Sequence, residues 1–314
     1  MRPSPIRVVS YNVRYFGHAL KGLASTRSSE RRIAAGLAAL APLPDLICLQ
    51  EIETISVRSR VARGRAAPGE TQLMSFMGEL ERAFARSGQP FPYDGFYFRA
   101  HANRIRGFPI TTHGLAIVVN TRRLRVESHN VESPGHITHH HVELFRDRKQ
   151  GRICAHMALA DAAGRRLHVF NTHLSLPTPF AKAFWTRRQR MGWGVNQLHE
   201  AHSLAAYVNR HARGEPFVVC GDFNAQPSSP VFRYLTESAG FRCAERDLGL
   251  LERDGYPTAG FMRMRMHLDH IFYGNGTRFL DLEGSSPFGD GASRFAGLSD
   301  HVPLIGRLRW EGSE

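Results

Sequence analysis

The chain has 314 residues, 42% hydrophobic and 22% charged, an ordinary globular balance that can bury a full core. No apolar run is long enough to cross a bilayer as a helix, and no signal-peptide core precedes the first strand-like stretch, so a cytoplasmic location is expected. The charge is far from balanced: 41 Lys+Arg against 28 Asp+Glu give a net +13, which attracts polyanions such as nucleic acid or an anionic membrane surface.

Ile6, Val8 and Ser10 alternate with Val9 and Tyr11 in a strand that ends at Asn12. A helix is predicted from Ser28, with Glu30 in its first turn and Ile33, Leu37 and Leu40 on one face. Pro42 and Pro44 end it, and residues 45–51 form a buried strand whose last residue is the carboxylate Glu51. The stretch 54–70, with Arg58, Arg60, Arg63 and Arg65, reads as a solvated loop or as an arm that contacts phosphates. Thr71 caps a helix with Leu73, Met77, Leu80 and Phe84 on its apolar face, stopped by Gly88.

Residues 113–120 form a buried strand, and 124–127 its expected partner across a short turn. The His-rich stretch 129–152 reads as solvated loop, the usual setting of loop histidines, and not as a metal site. Residues 153–159 and 167–172 are paired strands, the second leading to His173. Phe180, Phe184 and Trp185 mix with Lys182, Arg187, Arg188 and Arg190, as a packed loop, a base-stacking surface or a lipid anchor. A long helix is predicted over 187–212.

The apolar run Phe217–Cys220 then delivers Asp222 and Asn224 just past a strand end, where open sheets place ligand chemistry. Met262–Met266 alternates like a strand with Arg263 and Arg265 on one face, and runs into Leu268-Asp269-His270. Asp300-His301 immediately precedes the closing strand. The four cysteines are scattered without zinc spacing and read as reduced packing residues. No repeat or long linker divides the chain, so one domain over 1–314 is expected. Paired strands interleaved with about four helices suggest two packed sheets with helices outside.

Six short segments place polar residues at strand ends or loops: Ser10-Tyr11-Asn12, Leu49-Gln50-Glu51, Asn171-Thr172-His173-Leu174, Gly221-Asp222-Phe223-Asn224, Leu268-Asp269-His270 and Ser299-Asp300-His301. In this order the chain resembles the endonuclease/exonuclease/phosphatase superfamily, from residue 6 to about 308. The resemblance implies an α/β fold, a four-layer α/β/β/α sandwich of two mixed sheets with the site at one end. It also implies a Mg²⁺-dependent phosphodiesterase, with Mn²⁺ as the other hard cation suited to few protein oxygen ligands. Glu51 is then the principal metal ligand, with Asp300 and Asn12 beside it. Asp222 orients or deprotonates the attacking water, and Asn224 donates to a non-bridging phosphate oxygen. His301, steered by Asp269, acts on the phosphate or as general base. His173 stabilises the developing charge or protonates the leaving group. Asn171, Arg263 and Arg265 are expected to contact substrate.

Thr172-His173-Leu174 is similar to the branch holding the deoxyribonucleases, sphingomyelinases and inositol-polyphosphate phosphatases. Two departures stand out. Arg14 occupies a position where abasic-site enzymes carry an acid, and the stretch Arg99–Arg104 holds no acid to support His173. The charge favours an endonuclease acting on DNA or RNA. A lipid-headgroup or small-phosphoester hydrolase is the alternative, and a silent binding module is a third reading. No partner protein is indicated, and a monomer is expected.

Overall fold

The structure, a computed structural model, describes residues 4–16, 26–53, 71–105, 108–138, 151–177, 191–251, 256–261, 264–282 and 293–311. The arginine-rich stretch Arg58–Arg65, His139–His141, the aromatic and basic segment 180–190, Arg263 and most of the Gly-rich loop 284–297 lie outside these residues.

The first sheet contains β1 (Ile6–Asn12), β2 (Leu46–Ile52), β3 (Tyr93–Ile105), β4 (Phe108–Asn120), β14 (Thr277–Asp281) and β15 (Leu304–Trp310), in the order β14-β15-β1-β2-β4-β3. The second contains β5 (Leu124–His129), β7 (Ile153–Asp161), β8 (Arg166–His173), β9 (Phe217–Asp222), β10 (Arg242–Cys243) and β13 (Asp269–Gly274), in the order β10-β13-β9-β8-β7-β5, with β6 (Gly135–His136) also on β7. Each sheet is mixed: β1 runs parallel to β2 and β8 parallel to β9, while the other pairs within them are antiparallel.

Strand periodicity sorts the side chains into layers. On β1, Ile6 and Val8 enter the core between the sheets, with Leu46 and Cys48 of β2 and Val218 and Cys220 of β9. Val9 and Tyr11 face the other way, onto helices α1 (Thr26–Ala38) and α2 (Gln72–Arg86). The second sheet likewise turns Phe170, Val219 and Phe272 toward α3 (Val195–Ala212). The result is the expected α/β/β/α sandwich with three apolar interlayers. Thr71 caps α2 by accepting from Met74 N.

Three expectations are corrected. Leu124–His129 does not pair with β4, whose two edges are occupied by β2 and β3; the chain crosses between sheets, and Leu124 pairs with Asp161 of β7. The long helix begins at Val195, after Gly194 as its N-cap, not at 187. Met264–Met266 forms its own short strand β12, paired with β11 (Ala259–Phe261), and β13 starts separately at Asp269.

Candidate active site

Strand register builds half of the site. His173 pairs with Asp222 across β8 and β9, and Asp222 pairs with Asp269 across β9 and β13. Directly paired residues project to the same face, so the ends of three adjacent strands present His173, Asp222 and Asp269 in one line. Gly221 permits this close approach: a Cβ there would stand 2.4 Å from Thr172 O. After β9 the chain turns sharply at Asn224, whose φ of 48° is left-handed, a conformation Asn tolerates better than most residues. Asn224 N donates to Asp222 Oδ1 at 2.9 Å, and Asn224 O accepts from Gln197 Nε2 at 2.9 Å, so the first turn of α3 holds the loop.

The first sheet supplies the other half. The alternation of β2 sends Gln50 between the sheets, so a regular Glu51 would face the helices. The pairing with β4 instead slips between Gln50 and Ile52, and Glu51 takes φ 58°. This bulge re-aims one side chain out of the pleat, and it turns Glu51 toward Asn12. Asn12 Nδ2 donates to Glu51 Oε1 at 3.2 Å and to Asp222 Oδ2 at 2.9 Å, while its Oδ1 accepts from Arg14 N at 3.0 Å. As oriented, Asn12 joins two acids from different sheets and turns its amide N–H, not its oxygen, toward them. That differs from the ligand role expected for it.

A loop from β15's N-terminal side closes the site. Ser299 Oγ donates to Asn12 O at 2.8 Å, Gly260 N donates to Asp300 O at 2.8 Å, and Ala259 bridges His301. His301 Nδ1 lies 2.8 Å from Asp269 Oδ2, and its Nε2 lies 3.7 Å from Asp222 Oδ2. Arg14 Nη1 contacts Asp300 Oδ2 at 2.5 Å, so a guanidinium stands against one of the expected metal ligands. His173 Nε2 lies 3.6 Å from Asp222 Oδ2, 4.0 Å from Glu51 Oε1 and 3.2 Å from Asn224 Nδ2.

Crowding of buried acids sets the electrostatics. Burial raises the Glu51 carboxyl, and Asp300 adds to it, against the lowering by Asn12. Burial and then the charge of Asp269 push Asp222 up to about 7. Burial opposes a charge on His301, but Asp269 and Asp222 outweigh it and hold the imidazole well above its usual range.

Asn171 lies deeper, one full strand repeat below His173. It is completely buried, accepts from Gln50 Nε2 at 2.8 Å, and donates to Leu49 O and Ala116 O, both at 3.0 Å. Its amide ties the two sheets, a structural place that differs from the substrate contact expected of it. Arg265 is exposed on β12 opposite Gly260, at the rim. One residue escaped the sequence reading. Arg152 lines an open cleft of about 300 Å³ with Glu51, His173 and Leu115. Only the β7–β8 register, which pairs Cys154 with Thr172, reveals its position.

The donor set fits a hard divalent cation. Glu51 and Asp300 are both carboxylates, the charge of Asp300 raises the cost of ionising Glu51, and Asp269 Oδ1 is buried without a hydrogen-bond partner. Such crowding is relieved by positive charge, and oxygen donors without thiolate suit Mg²⁺ or Mn²⁺.

Comparison with solved structures extends over the whole fold. The human Nocturnin catalytic domain with bound sulfate superimposes with a TM-score of 0.61 at 20% identity, over 98% of this chain and 94% of that one. The Bacteroides thetaiotaomicron mannosyl-6-phosphatase gives 0.58 at 17% identity, over 97% and 100%. Caenorhabditis elegans TDP2 gives 0.56 at 16% identity, over 97% and 74%. No curated protein sequence matches the chain. The sequence profile of the Endonuclease/Exonuclease/phosphatase family matches residues 9–301, which encloses every residue of the cluster, and the chain belongs to that family of phosphoesterases.

Proposed function

We propose that the protein is a divalent-metal-dependent phosphodiesterase, an endonuclease acting on DNA or RNA. The observation that carries this reading is the joining of Glu51 and Asp222, from different sheets, through Asn12 at the edge of an open cleft. Glu51 and Asp300 would hold a Mg²⁺ ion, which supplies charge neutralisation at the phosphate. Asp222, its Oδ1 fixed by Asn224 N and its Oδ2 by Asn12 Nδ2, orients the attacking water and takes its proton. His301 carries positive charge toward the phosphate, with Asp269 fixing its ring. Asn224 Nδ2 keeps one hydrogen on Leu174 O at 3.0 Å and turns the other, now facing His173, to a non-bridging oxygen. His173 protonates the leaving oxygen.

The nucleic-acid reading rests on the net +13 and on Arg152 beside Glu51 in the cleft. Arg263 and Arg265 are assigned to the backbone of a long substrate. A second reading, a lipid or small-phosphoester hydrolase, is favoured by the exposed Leu176 and Trp193. Their segments adjoin, since a Cβ on Gly194 would stand 3.4 Å from Pro177 Cα. A turnover panel tests the choice: plasmid DNA, RNA, sphingomyelin and an inositol polyphosphate with Mg²⁺, at low and moderate salt, with Asp222→Ala as blank. Salt-sensitive nicking of a nucleic acid is expected. Headgroup or phosphate release with nucleic acids untouched would transfer the assignment to the second reading.

A further inference from the structure

A second cluster of ligating side chains lies behind β13, away from the cleft. Cys243 ends β10, Glu245 opens the short helix Ala244–Asp247, and His267 and His270 bracket the start of β13. Cys243 Sγ, a carboxylate oxygen of Glu245 and a ring nitrogen of His270 all lie within 4.8 Å of one another. Glu245 and His270 are completely buried, and Cys243 nearly so.

The hydrogen bonds around this cluster fix the imidazole tautomers. His267 Nδ1 donates to Tyr256 O at 2.8 Å, and His270 Nε2 donates to Ala225 O at 2.8 Å. A neutral imidazole has a single N–H, so the inner nitrogens, His267 Nε2 and His270 Nδ1, carry lone pairs. Both face the same atom, Glu245 Oε1, each at 3.4 Å. His270 Nδ1 is buried with no hydrogen-bond partner. Cys243 Sγ and Ile271 N donate to Glu245 Oε2, each at 3.3 Å, and the lone pairs that converge on Oε1 in a dry interior are relieved by positive charge between them.

Two protons or one metal ion could supply that charge, and the spacing decides between them. Charged imidazole–carboxylate bonds close to about 2.7–2.9 Å, and elsewhere in this protein His301–Asp269 does so, at 2.8 Å. The Glu245 contacts stay at 3.4 Å. Ligands on a tetrahedral zinc, with Zn–N and Zn–O bonds of about 2.0–2.2 Å, stand roughly 3.3–3.5 Å apart. The outer N–H of each ring bonded to a backbone carbonyl is also the arrangement that orients metal-bound histidines.

We propose that Cys243, Glu245 and His270, with His267 beside Glu245, bind a structural transition-metal ion of the zinc class, distinct from the hard-cation site at Glu51. A set containing a thiolate and imidazole is too soft for Mg²⁺, and a site enclosed in the interior, away from the cleft, is structural. The ion would clip β10 and the helix behind it to the first turn of β13. Asp269, between the two histidines in sequence, would then be held in place for His301.

The test uses the full chain purified without chelator and dialysed against Mg²⁺ buffer. About one zinc per chain is expected by mass spectrometry, and Co²⁺ exchanged into the protein should give a thiolate-to-metal charge-transfer band. Cys243→Ser should abolish the band, whereas Glu51→Gln should leave it. Cys48 and Cys220 lie in the core between the sheets and Cys154 on β7, none of them in the ligand group of Cys243, so loss in Cys243→Ser identifies the ligand. If that variant does not fold, His267→Ala, at the edge of the cluster, should weaken zinc binding at least tenfold against a chelating indicator. A wild-type protein that takes up no zinc and shows no thiolate band overturns the proposal. Metal retained in Cys243→Ser but lost in Glu51→Gln overturns it equally.

Discussion

Asn12 donates its side-chain amide to Asp222 Oδ2 at 2.9 Å, and in doing so bonds the end of β1 in one sheet to the end of β9 in the other. The same NH₂ group reaches Glu51 at 3.2 Å. Asn12→Ala leaves two buried acids without their shared donor. A hydrogen bond to a charged group contributes about 1.5–3 kcal/mol, so turnover should fall roughly ten- to a hundredfold. Asn12→Asp adds a carboxylate instead and should push Asp222 further up from about 7. Its activity should therefore be depressed at and below neutrality and recover only at higher pH than in the wild type; pH–rate profiles of both variants check this.

The Asp269–His301 pair gives a second prediction. Burial lowers the His301 pKa and the two acids raise it, with the acids prevailing. Asp269→Asn removes the larger raising charge, so burial regains weight and the pKa drops. The alkaline limb of kcat/KM should move to lower pH, with a loss of about 10²–10⁴ in kcat, the range of acid–base catalysis. An alkaline limb that stays in place would detach His301 from the reaction.

Glu51 is held in a left-handed conformation beside Asp300, both unfavourable for the free protein. Glu51→Gln keeps the shape and removes the charge repulsion. Without metal its thermal midpoint should equal or exceed that of the wild type. Its half-saturating Mg²⁺ concentration in turnover should rise tenfold or more. Melting curves and a Mg²⁺ titration measure the two effects separately.

Acid sensitivity should arise partly on the far side of the second sheet. His156 packs on Phe170 with its Nε2 2.9 Å from His168 Nδ1. Burial first, then the neighbouring His168 and His211, lower its pKa to about 3. The folded state thus refuses a proton that the unfolded chain accepts near 6.5. Stability is unaffected above that value and falls as pH drops through it, by about 1.4 kcal/mol per pH unit for this one group, until about 3. Between pH 7 and 5, His156→Gln should lose roughly 2 kcal/mol less than the wild type, as read from urea midpoints.

The polar residues at strand ends were legible because an apolar run followed by one acid, amide or histidine is a local pattern. Asp222, His173 and Asp269 needed only their own segments. Asn171 was misread because it shares a segment and a face with His173, and only depth along the strand separates a cleft residue from an interlayer one. Arg152 was invisible because its position depends on β7 lying beside β8, a long-range pairing. The placement of 124–127 failed for the same reason: a short connection suggests a hairpin, and the crossing to the other sheet is decided by which edges are already filled. Cys243 and His270 are separated by 27 positions in sequence and meet only through the β10–β13 pairing.

The Gln50–Asn171 contact, with Ser10 beside it, sits in a largely apolar interlayer. Aliphatic layers allow two sheets to slide by a fraction of a residue at little cost, because dispersion has no preferred direction. A directional contact, here with Asn171 bonded through both its amide oxygen and its amide nitrogen, does not. It acts as a dowel between two plates, and the plates carry opposite halves of the cleft. Replacing both amides by leucines should therefore yield a protein that folds well and works badly, its two halves no longer aligned to the same phosphate.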